Sequence, residues 1–225
     1  MPSVTPVRVV RMGLDLNVLY SDQKARDQGV RGTAARMLVD AVRDGTCPAG
    51  PVQLVTSVPV IENWADVLRR RFVYAPDLAR EKADLLYDYA SQGPLPEGPR
   101  IVVGSGHIPF GTEQEVCNAI RAHSLPRNAD KLFDELTDDR NVLLSALAGK
   151  ADILATSDTD LFRRGSAIAL EREDVVLYPF AGQTLVIARP AFVAYWLREG
   201  IVPDHAFVAA RPDEFRPKPS DAPVP

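Results

Sequence analysis

Four carboxylates, Asp15, Glu62, Asp139 and Asp158, stand at points of the chain where local structure could gather them into one site. Asp15 follows the largely apolar run Val7 to Leu14, and Asp158 follows Ile153-Leu154-Ala155-Thr156-Ser157. Glu62 and Asp139 each open a segment with helical apolar spacing, and the positive end of a helix favours an ionised carboxylate. Negative groups crowded together repel unless a cation neutralises them. An oxygen-only ligand set, without His or Cys, selects Mg²⁺ or Mn²⁺ over zinc or copper. Such an ion lowers the pKa of a bound water and stabilises charge on a phosphodiester oxygen, so the natural chemistry is phosphodiester hydrolysis. Singly, each acid has an ordinary role as helix cap, first-turn dipole partner, turn residue or solvated strand end. Four of them, each after the right element, point to a metal site.

The elements that would position these acids can be read from periodicity. Val7 to Leu14 reads as a strand, and Thr33 to Arg43 as a helix with Ala34, Leu38, Val39 and Val42 on one side and Gly45 as its stop. Val52 to Val58 reads as a second strand. Pro59 then opens a helix with Ile61, Ala65, Leu68 and Phe72 in phase, which puts Glu62 in its first turn. A helix over Asp77 to Ala90, a loop from Gln92 to Pro99 and a short strand over Arg100 to Val103 follow. The stretch 104–137 reads as an insertion with a helix near Glu113 to Ala122. Asp139 then precedes a helix carrying Val142, Leu143, Ala146 and Leu147, and Ile153 to Thr156 is a strand. Val175 to Tyr178 and Leu185 to Ala188 read as further strands, with Phe192 to Glu199 a closing helix. Strands alternating with crossover helices predict an α/β domain with a mostly parallel sheet covered on both faces, and its site at the strand C-termini. One domain spans 1–205, and 206–225 is a flexible Pro-rich tail.

The same residues carry a family resemblance. Gly13-Leu14-Asp15-Leu16-Asn17-Val18-Leu19, Val60-Ile61-Glu62 at a helix start, Asp138-Asp139-Arg140-Asn141-Val142-Leu143-Leu144, and Ala155-Thr156-Ser157-Asp158-Thr159-Asp160 together resemble a PIN domain from Val7 to Phe162. The resemblance implies a three-layer α/β/α sandwich and a Mg²⁺- or Mn²⁺-dependent endoribonuclease. It makes Asp15, Glu62, Asp139 and Asp158 the catalytic ligands, with Asp138 able to exchange for Asp139. It adds Asp160 as a further metal ligand, and Asn17 and Thr156 as polar neighbours that orient the ligands. It also implies RNA as substrate and, by likeness to toxins of toxin-antitoxin pairs, an antitoxin protein and a homodimer as partners. The segment 104–137 departs from the shorter toxins. An inactive or regulatory module that binds RNA or protein without cutting is the alternative, and four intact acids argue against it. A phosphatase with an Asp-x-Asp nucleophile is disfavoured because Asn17 holds the second position.

Composition sets the remaining bounds. The 225-residue chain is 46% hydrophobic and 25% charged, ordinary for a soluble globular protein, with no apolar run long enough for a membrane span. Cys47 and Cys117 stand apart, which predicts buried thiols and a cytoplasmic protein, and His107, His123 and His205 lack zinc-ligand spacing. A net charge of -4 requires that any contact with nucleic acid be local. Arg69-Arg70-Arg71, Arg163-Arg164, Arg140 and Lys150 are the phosphate-contact candidates, although such runs are more often solvated faces.

Overall fold

The computed structural model describes residues 8–94, 101–102, 138–158, 161, 175–180, 183–202 and 208. The predicted insertion at 104–137 with its helix, Asp160, the three histidines, Cys117, Arg163-Arg164 and all of the tail but Val208 lie outside them. The chain is an α/β protein built on a mixed seven-stranded sheet. At its centre β1 (Val10–Leu14) pairs in parallel with β3 (Gly50–Ser57) and with β5 (Ile153–Ala155). On the outer side of β5 runs β7 (Gln183–Ala188), also parallel. These strands are buried on both faces, which accounts for runs such as Ile153-Leu154-Ala155 that do not alternate with polar residues.

Antiparallel pairs flank this centre. β6 (Val175–Phe180) forms a ladder with β7, and the two-residue β2 (Thr46–Cys47) folds back on the start of β3. β4 (Ile101–Val102) pairs in parallel with the far end of β3. The mostly parallel sheet expected from the helix-strand alternation therefore describes the centre, while the hairpins make the whole sheet mixed. Cys47 sits half-buried in β2 rather than in the core, which corrects the expectation of a buried thiol.

The helices follow their capping chemistry. In α2 (Ala34–Asp44), Thr33 accepts the Arg36 N–H at the N-cap and Gly45 takes the left-handed C-cap. Ser57, the last residue of β3, caps α3 (Val58–Arg71) by accepting the Val60 N–H at 3.4 Å. Pro59 thus falls inside the first turn and Glu62 is the fifth helical residue, beyond the first turn where its spacing had placed it. α4 (Pro76–Ser91) packs on α3. α5 (Asp138–Ala148) begins one residue before Asp139, so Asp139 lies within the helix's first turn and is not its cap. α6 (Pro190–Arg198) closes the fold against α2.

The sequence pattern missed α1 (Leu16–Asp27), which follows Asp15 directly. Its inward face mixes Leu16, Val18, Leu19 and Ala25 with buried Asp22 and Gln23, so no apolar stripe marks it. The polar members find local partners, although Asp22 Oδ1 is buried without a hydrogen bond among the described residues. Arg26 donates to Asp22 at 2.8 Å and to Asp40 of α2 at 2.8 Å, and Gln23 donates to Asp27 and to the Tyr74 hydroxyl.

Candidate functional site

Parallel pairing brings the ends of β1, β5 and β7 to one edge of the sheet. The last rungs run from Asp15 N–H to the Ala155 carbonyl at 3.1 Å and from Thr156 N–H to the Ala188 carbonyl at 3.0 Å. Asp15 and Thr156 consequently leave neighbouring strands side by side. Asp15 is only 4% exposed, and Thr156 is fully buried.

The contacts around Asp15 form a closed set. Its Oδ2 accepts from the Thr156 hydroxyl and from Asn17 Nδ2 at 2.6 Å. The Thr156 hydroxyl in turn accepts the Asp158 N–H at 2.9 Å and Asn17 Nδ2 at 3.3 Å, so its one proton and both lone pairs are used. Asn17 Oδ1 accepts the Ser157 N–H at 3.0 Å, which orients the amide and aims its NH₂ at the carboxylate. These bonds tie the turn after β5 to the turn after β1 and hold Asp15 in one orientation.

Electrostatics set Asp15 apart from an ordinary surface acid. Burial first, and the nearby charge of Asp158 as the lesser raising influence, push its pKa up to about 6, against 3.8 for an exposed aspartate. Hydrogen bonds from Thr156, from the Leu16 backbone and from Asn17 pull the other way without cancelling the rise. A buried carboxylate repelled by a second carboxylate is the condition a divalent cation relieves, and two hard oxygen donors suit Mg²⁺ or Mn²⁺. Among the described residues, no group of three His, Cys, Asp or Glu side chains is close enough to hold an ion.

The other predicted acids divide. α5 runs antiparallel to the strands it covers. Ser145 donates to Ser57 at the C-terminal end of β3 (2.6 Å), whereas Gly149, past the other end of the helix, accepts from Arg11 near the start of β1. The opening turn of α5, with Asp138 and Asp139 in it, therefore lies at the same sheet edge as Asp15. The side chains of Asp138, Asp139 and Arg140 are outside the described residues. Glu62 is exposed on α3, and among the described residues it forms no acidic cluster with Asp15 and Asp158.

The predicted phosphate contacts fare differently. Arg69 and Arg70 pair with Asp66 on the surface of α3. Lys150 adopts a left-handed conformation in the turn that ends α5, near the start of the strands and away from the acids. Two cations at the site edge went unnoticed in the sequence. Arg189, directly after β7, donates Nη1 to the Ser157 carbonyl, and Lys24 lies on α1 across a shared groove from it. The signal for Arg189 was its place immediately after a strand of the parallel centre, ahead of a proline that starts a helix. No helix among the described residues is long and apolar enough to cross a membrane. No protein-family model, curated protein or solved structure matches the chain.

Proposed function

We propose that the chain is a Mg²⁺- or Mn²⁺-dependent endoribonuclease with a PIN-like three-layer α/β/α arrangement. The observation that carries this reading is the pairing of buried Asp15 with Asp158 at the C-terminal edge of the parallel strands, braced by Thr156 and Asn17. Structural carboxylates in a fold's interior are normally neutralised by a cationic partner. Among the described residues, Asp15 has hydroxyl, amide and backbone donors but no Arg or Lys beside it, and the charge that acts on it is another acid. That is costly for stability alone, and it is the arrangement of a ligand awaiting a cation.

Asp15, Asp158 and Asp139 would hold the ion, with Glu62 and Asp160 as the remaining acids of the set. Bound there, the ion would activate a water and offset the charge that develops on the phosphodiester during in-line displacement. Thr156 and Asn17 keep the Asp15 carboxylate pointed in one direction, so little reorganisation is needed when the cation arrives.

The test is incubation of the purified chain with total RNA, with and without Mn²⁺, followed by mapping of the cut ends. Asp15→Asn and Asp158→Asn should abolish metal-dependent cleavage while the circular-dichroism spectrum stays unchanged. Thr156→Val, which keeps shape but removes the hydroxyl proton from Asp15, should weaken Mn²⁺ binding or activity by roughly 10–100-fold, and Thr156→Ser should restore it. Cleavage that persists in the Asp15 variant, or that needs no metal, defeats the reading.

A further inference from the structure

Beside the acid pair lies a groove of about 480 Å³, bounded by α1, the start of α2 and the start of α6. Its volume is within the roughly 300–1,000 Å³ of pockets that hold small ligands. Ser157 is the wall it shares with the site: this residue sits between Thr156 and Asp158, gives its N–H to Asn17 and accepts Arg189 on its carbonyl. Lys24 and Arg189 both line the groove and, among the described residues, no acidic side chain does. Lys24 is exposed and makes no ion pair among the described residues, in contrast to Arg69 and Arg70 of α3. In a chain of net charge -4, this is a local cationic opening next to two carboxylates. Tyr20 also lines it, 36% exposed, with its ring held 5.1 Å from that of Phe72.

We propose that this groove seats one nucleotide of single-stranded RNA next to the phosphate to be cut. Lys24 and Arg189 meet its flanking phosphates and Tyr20 stacks on its base, a placement that rests on the nuclease reading of the neighbouring acids. Cations that track the backbone, beside an aromatic that accepts any base, are the usual means of gripping a single strand. A paired base inside an A-form helix has no face free to enter such a groove, so the strand must be unpaired there. The cationic wall also answers an electrostatic need, because the acids would repel a phosphate that approached without it.

The experiment measures binding of a fluorescent, mixed-sequence, single-stranded oligoribonucleotide to the full chain in EDTA, where cutting is not expected. Salt is varied, and cleavage of the same strand is followed separately in Mn²⁺. Lys24→Glu should weaken binding by at least about tenfold and flatten the log-log salt dependence by about 0.7, the share of the one phosphate that Lys24 neutralises. Tyr20→Ala should weaken it on the order of tenfold, while Tyr20→Phe stays near the parent. A Lys24→Glu chain that binds like the parent overturns the groove even if the protein cuts RNA. A duplex of the same sequence bound as tightly as the single strand overturns it as well. Binding that depends on Lys24 in a chain that never cuts RNA keeps the groove and removes the nuclease reading instead.

Discussion

Asp15 is where stability and the proposed function oppose each other most directly. A buried carboxyl that titrates at about 6 costs the folded chain about 3 kcal/mol once ionised, relative to its exposed value of 3.8. The sign follows from proton counting: between about pH 4 and 6 the folded chain holds a proton that the unfolded chain releases. This contribution to stability is therefore present at low pH, declines as pH rises through that window, and is level above it. Metal-free protein should lose on the order of 5–10 °C of melting temperature across the window from this residue. Asp15→Asn should lack that component and should melt above the parent at pH 7.5. Added Mn²⁺ should raise the parent's melting temperature at pH 7.5 and do so progressively less below about pH 6, because the ion must displace the proton. Thermal melts in EDTA and in Mn²⁺ from pH 4 to 8 measure all of this. Parallel pH profiles for parent and variant would show that Asp15 is not the group responsible.

The elements that carry the acids are held by close backbone contacts, and Gly149 is the tightest of them. A Cβ built there would lie 2.0 Å from Val55 Cγ1 and 2.8 Å from the Ser145 carbonyl, so the end of α5 rests directly on β3. Gly149→Ala should cost about 1–3 kcal/mol or more by overpacking, and should tilt the opening turn of α5 away from the strand ends. The penalty should shrink in a Val55→Ala background, a coupling that a urea double-mutant cycle reads; strictly additive costs would mean that the helix does not sit on that strand. Gly149 also shows the limit of what could be read in advance. Strand β5, helix α2 with Gly45 as its stop, and the acids after β1 and β5 were all legible, because apolar spacing and a glycine stop are local signals. Helix α1 was not, since buried Asp22 and Gln23 interrupt its stripe and are held by Arg26 on Asp22 Oδ2 and by the Asp27–Tyr74 pair, partners that periodicity does not register. Glu62 was placed one residue too early along its helix because Val58 read as the end of the strand and is instead the first residue of α3. The groove cations escaped for a third reason: Lys24 and Arg189 are 165 positions apart and become neighbours only through the order β1-β5-β7.

At the scale of the molecule, the hydrophobic core of the described residues is one connected cluster. It runs from Leu68 and Trp64 of α3 through Met12, Leu54 and Ile153 of the sheet to Val193 and Trp196 of α6. Chains longer than about 150 residues can separate into parts that melt independently, but a continuous core argues for a single transition. The two tryptophans test this because each reports on a different region. Trp64, 5% exposed, lies in the α3–α4 layer, and Trp196, 1% exposed, packs against Phe192 in the helix that meets α2 and β5. Trp64→Phe and Trp196→Phe each leave one reporter, and in either variant the urea midpoint by fluorescence should coincide with that by circular dichroism. The candidate site makes the experiment sharper. Asp15 and Thr156 join β1 to β5 at the middle of the sheet, so a cation held there should stabilise both regions together, by about 2.7 kcal/mol at a hundredfold excess over its dissociation constant. Mn²⁺ should move both midpoints upward by the same amount. A shift confined to one tryptophan would place the bound ion, or the boundary of cooperative unfolding, somewhere other than the junction of those two strands.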